Sequence, residues 1–389
     1  MSHLETETSF PSDAALEPLL ADLASTAAKR DVEGGTAKRE RDLIRASGLL
    51  GLAIPRALGG AGADWIEITQ AVRRMAAVDS ALAHIFAFHH LMAVTPQIFG
   101  TAAQAQALME KTMRERCFWG NAVNPKDARL RLSRDGGILR LDGAKTFCSG
   151  ASDSDMLIVS ALDEDDRLKI AAIPTQRAGL RIHDDWDNMG QRQTDSGSVS
   201  FERVEISEDE LLVSPGPMGS PFAALRPCLV QLLLVAIFTG LARGALDEAK
   251  AYVGGLPREG AARIGADPFI LHTAGELWTQ AAAAEALLDR AARAFQSGWE
   301  RGDAITPQQR GAIAIEIATA KTVSARAALD ISSRIFEIMG ARATHARLRL
   351  DRFWRNARTH TLHDPIDHKL KEIGDFVLND AYPTPSFYS

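Results

Sequence analysis

The stretch Leu141-Asp142-Gly143-Ala144-Lys145-Thr146-Phe147-Cys148-Ser149-Gly150 decides how the rest of the chain is read. It starts with the apolar–polar alternation of a half-buried strand and ends in a turn carrying an aromatic, a thiol, a hydroxyl and a glycine. Backbone amides and the Ser149 hydroxyl at such a strand end can face a planar heteroaromatic ring. Around it lie further short segments bounded by turn residues: 137–143, 156–160, 169–174 and 198–201. Together they predict a compact antiparallel β-domain, a barrel or sandwich, over 117–212.

The flanks are helical. Residues 1–116 form the expected N-terminal α-helical domain, with Leu16, Leu19, Leu20 and Leu23, then Leu43, Leu49 and Leu50, at helical spacing. Pro55 and the glycines at 59, 60 and 62 mark a break. Helices are predicted from Trp65 to Val78 and from Ala81 to Thr95, the latter ending before Pro96. Beyond Pro221, alanine-rich periodic stretches at 222–254, 267–299, 306–340 and 363–381 predict a C-terminal four-helix bundle over 213–389. Loops are expected at Gly254–Gly265 and Gly302–Pro307, and an extended arm after Tyr382. The fold class is therefore α+β.

Composition narrows the function. A net charge of −6 over 389 residues offers nothing to nucleic acid or an anionic membrane. Cys117, Cys148 and Cys228 are far apart, which excludes metal-type spacing and argues for a reducing compartment. The N-terminal segment lacks a basic region followed by an apolar run, so no secretory signal is expected and a cytoplasmic location is. The most apolar stretch, Cys228 to Leu241, is interrupted at Gln231, Thr239 and Gly240 and reads as a buried helix too short for a bilayer.

Several motifs in order resemble the acyl-CoA dehydrogenase family across nearly the whole chain. Gly48 to Pro55 with Gly59-Gly60 resembles that family's N-terminal element, and 141–150 its "NG-x-K-x-W-I-T-N-G" strand and turn. Asn188 to Arg192 and Phe201 to Val204 resemble its "MG-x-R…FEDV" block; Met339 to Ala343 and Arg352 to Asn356 its ending. The resemblance implies a flavin, FMN or FAD, between the β-domain and the bundle, and a homotetramer built as a dimer of dimers. It places Phe147, Cys148, Ser149, Gly340 and Ala341 at the flavin, and Arg258 or Arg263 at the flavin phosphate of a neighbouring subunit.

The sequence departs from the dehydrogenases where they carry a catalytic glutamate in a "Y-E-G-T" segment. Here the chain reads His363-Asp364-Pro365. Removing an α-proton needs a carboxylate base; Asp364 is one methylene shorter, and Pro365 changes the turn. Asn121 stands in a segment that normally covers flavin and acyl chain. The run from Arg355 to Pro365 resembles the ending of the bacterial dibenzothiophene monooxygenase group, which takes reduced flavin from a separate reductase. That resemblance implies a flavin C4a-hydroperoxide delivering oxygen to a small aromatic or heteroatom-containing substrate. His363 and either His89 or His90 would flank the substrate, with Ser149 and Asn121 hydrogen-bonding the flavin or its adduct and Asp364 and Asp367 orienting an imidazole. No metal is called for. The alternative is an acyl-CoA dehydrogenase with a displaced base, Asp364.

Overall fold

The computed structural model of the chain describes residues 12–389. The expectation about a secretory signal in the first eleven residues lies outside them. Five helices come first: α1 (Asp13–Glu33), α2 (Lys38–Ala46), α3 (Trp65–Val78), α4 (Ser80–Phe99) and α5 (Ala102–Glu115). Leu16, Leu19, Leu20 and Leu23 line the buried stripe of α1, as their spacing predicts. Leu49 and Leu50 instead follow the left-handed Gly48 into a 3-10 turn. Asp79 caps α4 by accepting from the amides of Ala81 and Leu82.

Helix α4 runs one turn past the predicted stop. Pro96 removes a single helical donor, while Ile98 and Phe99, both fully buried, hold the last turn and Gly100 N–H closes on Pro96 O at 2.8 Å.

Seven strands follow: β1 (Trp119–Ala122), β2 (Arg131–Asp135), β3 (Ile138–Lys145), β4 (Met156–Leu162), β5 (Leu168–Pro174), β6 (Leu180–Ile182) and β7 (Val199–Ile206). Most pairings are antiparallel, but β1 runs parallel to β4, with Trp119 opposite Met156, so the sheet is mixed rather than purely antiparallel. The reason is connectivity: the β2–β3 hairpin lies between them in sequence and supplies the crossover that a parallel pair needs. At the bulge in β3, Gly143 has φ +128°, and a Cβ there would sit 2.0 Å from Arg129 O.

The C-terminal part contains α6 (Leu225–Gly254), α7 (Arg258–Ala266), α8 (Pro268–Arg301), α9 (Pro307–Met339), α10 (Arg352–Thr361) and α11 (Ile366–Asn379). The expected loop at 254–265 thus holds a short helix, and the last helix starts at Ile366 because extended Pro365 precedes it. Helix α10 occupies a stretch the sequence reading took only as a motif.

Helix α6 is long and apolar enough to cross a membrane, yet 89% of its most apolar window is buried inside the protein. Burial, not length, identifies it as core. Its polar interruptions have packing reasons. A Cβ on Gly240 would lie 2.1 Å from Arg73 O, and one on Gly244 1.9 Å from Ala77 O, so α6 crosses α3 backbone to backbone. Gly244→Ala must push these helices apart and is expected to destabilise the protein by about 1–3 kcal/mol, read as a lower midpoint of denaturant unfolding.

Candidate active site

A cavity of about 740 Å3 opens between the sheet, α4, α6 and the turn after α10. The motif turn forms one wall. Phe147, at φ +59°, keeps 59% of its surface exposed and meets the Trp186 ring edge-on at 6.1 Å. The next residue, Cys148, does not reach the cavity. It is buried in the core of the sheet, its amide bonds Gly197 O, and desolvation pushes its thiol up to about 12.

Ser149 does line the cavity and starts a hydroxyl chain. Its Oγ lies 2.8 Å from Ser196 Oγ, Ser196 donates to Thr194 Oγ1 at 2.8 Å, and Thr194 donates to Gln191 O at 2.9 Å. Asn121 faces the same space from β1. Its side-chain oxygen accepts from Val123 N–H at 2.9 Å, which leaves the amide nitrogen as the group to donate. Lys145, part of the motif but given no role by the sequence, positions the rim. Buried at the end of β3, it donates to Asn124 O (3.0 Å) and Asp127 O (2.5 Å), tying down the 124–127 loop that forms part of the rim. Desolvation lowers its pKa to about 8.

The histidines are arranged differently from the sequence expectation. His89 is locked in packing, with Nε2 2.9 Å from Leu50 O and Nδ1 accepting from Trp119 N–H at 3.1 Å. His90 packs edge-on against Phe86 at 4.7 Å. Neither lines the cavity. The helix histidine that does is His84, which stacks on Phe88 at 4.1 Å and meets His360 at 4.8 Å. The 84, 88, 91 spacing is one helical face, and that signal could have selected His84 over the adjacent pair.

His363 lies at the cavity as predicted and is exposed to it. Desolvation keeps these imidazoles neutral at pH 7: burial lowers His84 to about 3, and enclosure by the cavity walls, with Lys321 adding to the effect, lowers His363 to about 4. His360 falls well below its usual value for the same reason. None of these histidines therefore titrates near neutrality as a free imidazole does.

Asp364 does not orient an imidazole. It is 5% exposed and accepts from Lys321 Nζ at 2.7 Å, while Lys321 also donates to Gln231 Oε1 at 2.5 Å. Arg258 and Arg263 are exposed on α7, and Gly340 and Ala341 lie in an exposed loop. None of the four lines the cavity of its own chain. What the sequence missed is the arm: Phe387 and Tyr388 return to the cavity, Lys126 Nζ lies 4.1 Å from the centre of the Tyr388 ring, and Lys369 donates to Tyr388 O.

Helices, a small curled sheet and a helical bundle, with a cavity at their junction, define the acyl-CoA dehydrogenase architecture. Models of that family's N-terminal, middle and C-terminal domains match residues 13–116, 122–204 and 232–368. The chain belongs to the acyl-CoA dehydrogenase family, in the branch that holds its FMNH2-dependent and dibenzothiophene monooxygenases. It is 50% identical to the "Probable FMNH2-dependent monooxygenase SfnC" of Pseudomonas putida, over 97% of this chain and 98% of that one. The structure of methanesulfinate monooxygenase MsuC from Pseudomonas fluorescens superposes with a TM-score of 0.95 at 48% identity, covering 98% and 100% of the two chains. Dibenzothiophene monooxygenase TdsC from Paenibacillus sp. A11-2 superposes at 0.91 with 39% identity, covering 97% and 99%, and has been solved with FMN and with FMN and indole.

Two outcomes follow. Asp364→Asn leaves the Lys321 ammonium buried without its counter-charge and is expected to destabilise by about 3–5 kcal/mol, whereas Lys321→Met with Asp364→Leu, removing both charges, destabilises less; denaturant unfolding of both variants measures this. For pH, His84 and His89 have folded pKa values of about 3 and 4 against 6.5 when unfolded. The unfolded chain binds protons first, so stability is fully present above 6.5 and falls towards pH 4, by about 1.4 kcal/mol per pH unit for each such histidine. A Tm that rises on acidification from pH 6.5 to 5 would contradict this.

Proposed function

We propose that this chain is a reduced-flavin-dependent monooxygenase that transfers one atom of O2 to a small sulfur-containing substrate. FMN occupies the cavity, and a separate reductase supplies it reduced. The carrying observation is the absence of a placed acid. Among the described residues the one carboxylate lining the cavity is Asp187, whose side chain is 96% exposed at 3.8 Å from Arg192. Asp364 is committed to Lys321. A carboxylate base for α-proton removal is thus missing, which counts against the dehydrogenase alternative.

The residues present fit a flavin. About 740 Å3 is room for a tricyclic ring and a small substrate. Phe147 and Trp186 offer apolar ring surface, and Gln191 Oε1 and Thr359 Oγ1, both at the cavity, are buried without partners. When bound, reduced flavin supplies the two electrons that oxygen transfer requires. The protein's part is binding and proton placement. Ser149 and Asn121 would hold the ring edge by hydrogen bonds. His363 holds a proton on one ring nitrogen and accepts on the other, since it stays neutral at pH 7. His84 and His360 add unpartnered imidazole nitrogens beside it, and Tyr388 lines the same cavity.

The assembly follows the same reading. Phe269 (82% exposed), Val377 (69%) and Leu378 (83%) project from α8 and α11. Exposed apolar side chains of this size suit a subunit interface and support a homotetramer, a dimer of dimers in which Arg258 or Arg263 reaches a neighbour's flavin phosphate. A cytoplasmic location goes with dependence on a reductase.

Anaerobic titration with FMNH2, followed by mixing with oxygen and a sulfur substrate, tests the reading. Wild type is expected to bind FMNH2 and form oxygenated product; His363→Ala should lose product formation by roughly 100-fold or more. Tight binding of oxidised flavin that bleaches with acyl-CoA, and no oxygenated product, would defeat it.

A further inference from the structure

Arg226 is the second residue of α6, 2% exposed, and it lines the cavity. Its Nε donates to Thr95 Oγ1 at 2.9 Å, and Nη2 lies 3.5 Å from Met92 Sδ, a weak acceptor. Thr95 gives its own proton to Leu91 O, so its oxygen is free to accept. Among the described residues no acceptor meets Nη1, and no carboxylate pairs with the guanidinium. Other deeply buried arginines are compensated: Arg30 by Asp79 and Glu40, Arg41 by Asp153 and Asp195, and Arg310 by the carbonyls of Ala224, Pro383 and Ser389.

A buried guanidinium without a counter-charge is expensive unless a ligand supplies one. The start of α6 makes matters worse, because the positive end of a helix adds to the charge. Burial is the one influence on its pKa, which falls to about 10 and leaves it cationic at neutral pH. The centre of the Phe99 ring lies 5.6 Å from the guanidinium carbon, and Phe88, Leu91, Met92 and Val230 line the same cavity, apolar surface for a short carbon group. Lys126, at the rim, is a second cation and Asp187 is the one acid there.

We propose that Arg226 is the anion-binding residue of the substrate pocket, the group that selects a small sulfur oxyanion such as the methanesulfinate for which MsuC is named. This deepens the monooxygenase reading and rests on it. Sulfinate combines the two requirements: a negative charge for Arg226, and a sulfur that still has a lone pair to oxidise. In the reaction the carbon–sulfur bond is kept and one S–O bond forms as the O–O bond breaks. Sulfinate becomes sulfonate, losing two electrons from sulfur. The second oxygen leaves as water with two protons and two electrons from reduced flavin, which becomes oxidised flavin. A neutral sulfide or thiophene would leave the guanidinium unpaired.

The test uses the full chain with a reductase supplying FMNH2, and compares methanesulfinate with dimethyl sulfoxide, a neutral molecule of similar size. Wild type is expected to favour methanesulfinate by about 100-fold or more in kcat/KM, since leaving a buried charge unpaired is heavily penalised. Methanesulfinate, and not dimethyl sulfoxide, should raise the Tm. In Arg226→Gln the KM for methanesulfinate is expected to rise about 30-fold or more and the Tm shift to vanish; Arg226→Lys should restore part of both. Equal use of the neutral compound by wild type, or an unchanged KM in Arg226→Gln, overturns the anion site while oxygen transfer stands. If nothing is oxygenated, the monooxygenase reading fails, and the Tm shift with its dependence on Arg226 still decides the anion site. Should Arg226→Gln not fold, the wild-type comparison and Arg226→Lys carry the result.

Discussion

The Lys321–Asp364 pair, 2.7 Å long and with both side chains at most 4% exposed, joins α9 to the turn between α10 and α11. Because Lys321 also donates to Gln231, the same ammonium fastens α6. Two elements that border the cavity, α6 and the turn after α10, are thus tied to α9 by one buried cation. Burying two charges is costly, and the arrangement survives because each is met by the other and by a further polar group. The cavity geometry depends on this anchor. It fixes the turn in which His363 N–H bonds His360 O at 3.1 Å, and so brings His363 to the cavity.

Desolvation then sorts the remaining ionisable groups. Histidine starts near 6.5, so burial that lowers its pKa by a few units leaves it neutral under ordinary conditions. Arginine starts near 12.5, and a comparable loss, to about 10, leaves Arg226 fully charged. One physical effect therefore produces a cavity walled by uncharged imidazoles and hydroxyls with a permanent cation at its floor. Such a site can move or hold protons through neutral groups, its one lining acid, Asp187, standing out in an exposed position.

Much of the fold was legible because it rests on local rules: the stripe of α1, the aspartate caps, and the strand-to-turn motif ending at Ser149. The mixed sheet was not, since parallel pairing of β1 with β4 is a long-range choice that alternation does not encode. The same limit governed the site. Phe147, Ser149, Asn121 and His363 were readable from motif position, whereas His84 against His89 and His90 turned on the rotation of α4, set by what the rest of the protein packs against it. Arg226 carries no motif. It becomes conspicuous only when its surroundings are known to lack an acid.

The exchange of a glutamate for His363-Asp364 changes more than one side chain. A dehydrogenase base must reach into the cavity as an ionised, unpaired carboxylate. Here the shorter Asp364 turns inward to Lys321, and extended Pro365, with ψ 137°, starts α11 immediately after it. The acid is retained as an anchor, and the residue before it, His363, is the one left facing the cavity. A carboxylate whose oxygen is held 2.7 Å from the Lys321 ammonium cannot also reach out to a substrate in the cavity. Assigning the anchor to Asp364 and the cavity to a neutral imidazole separates the two tasks, and it does so within two consecutive residues.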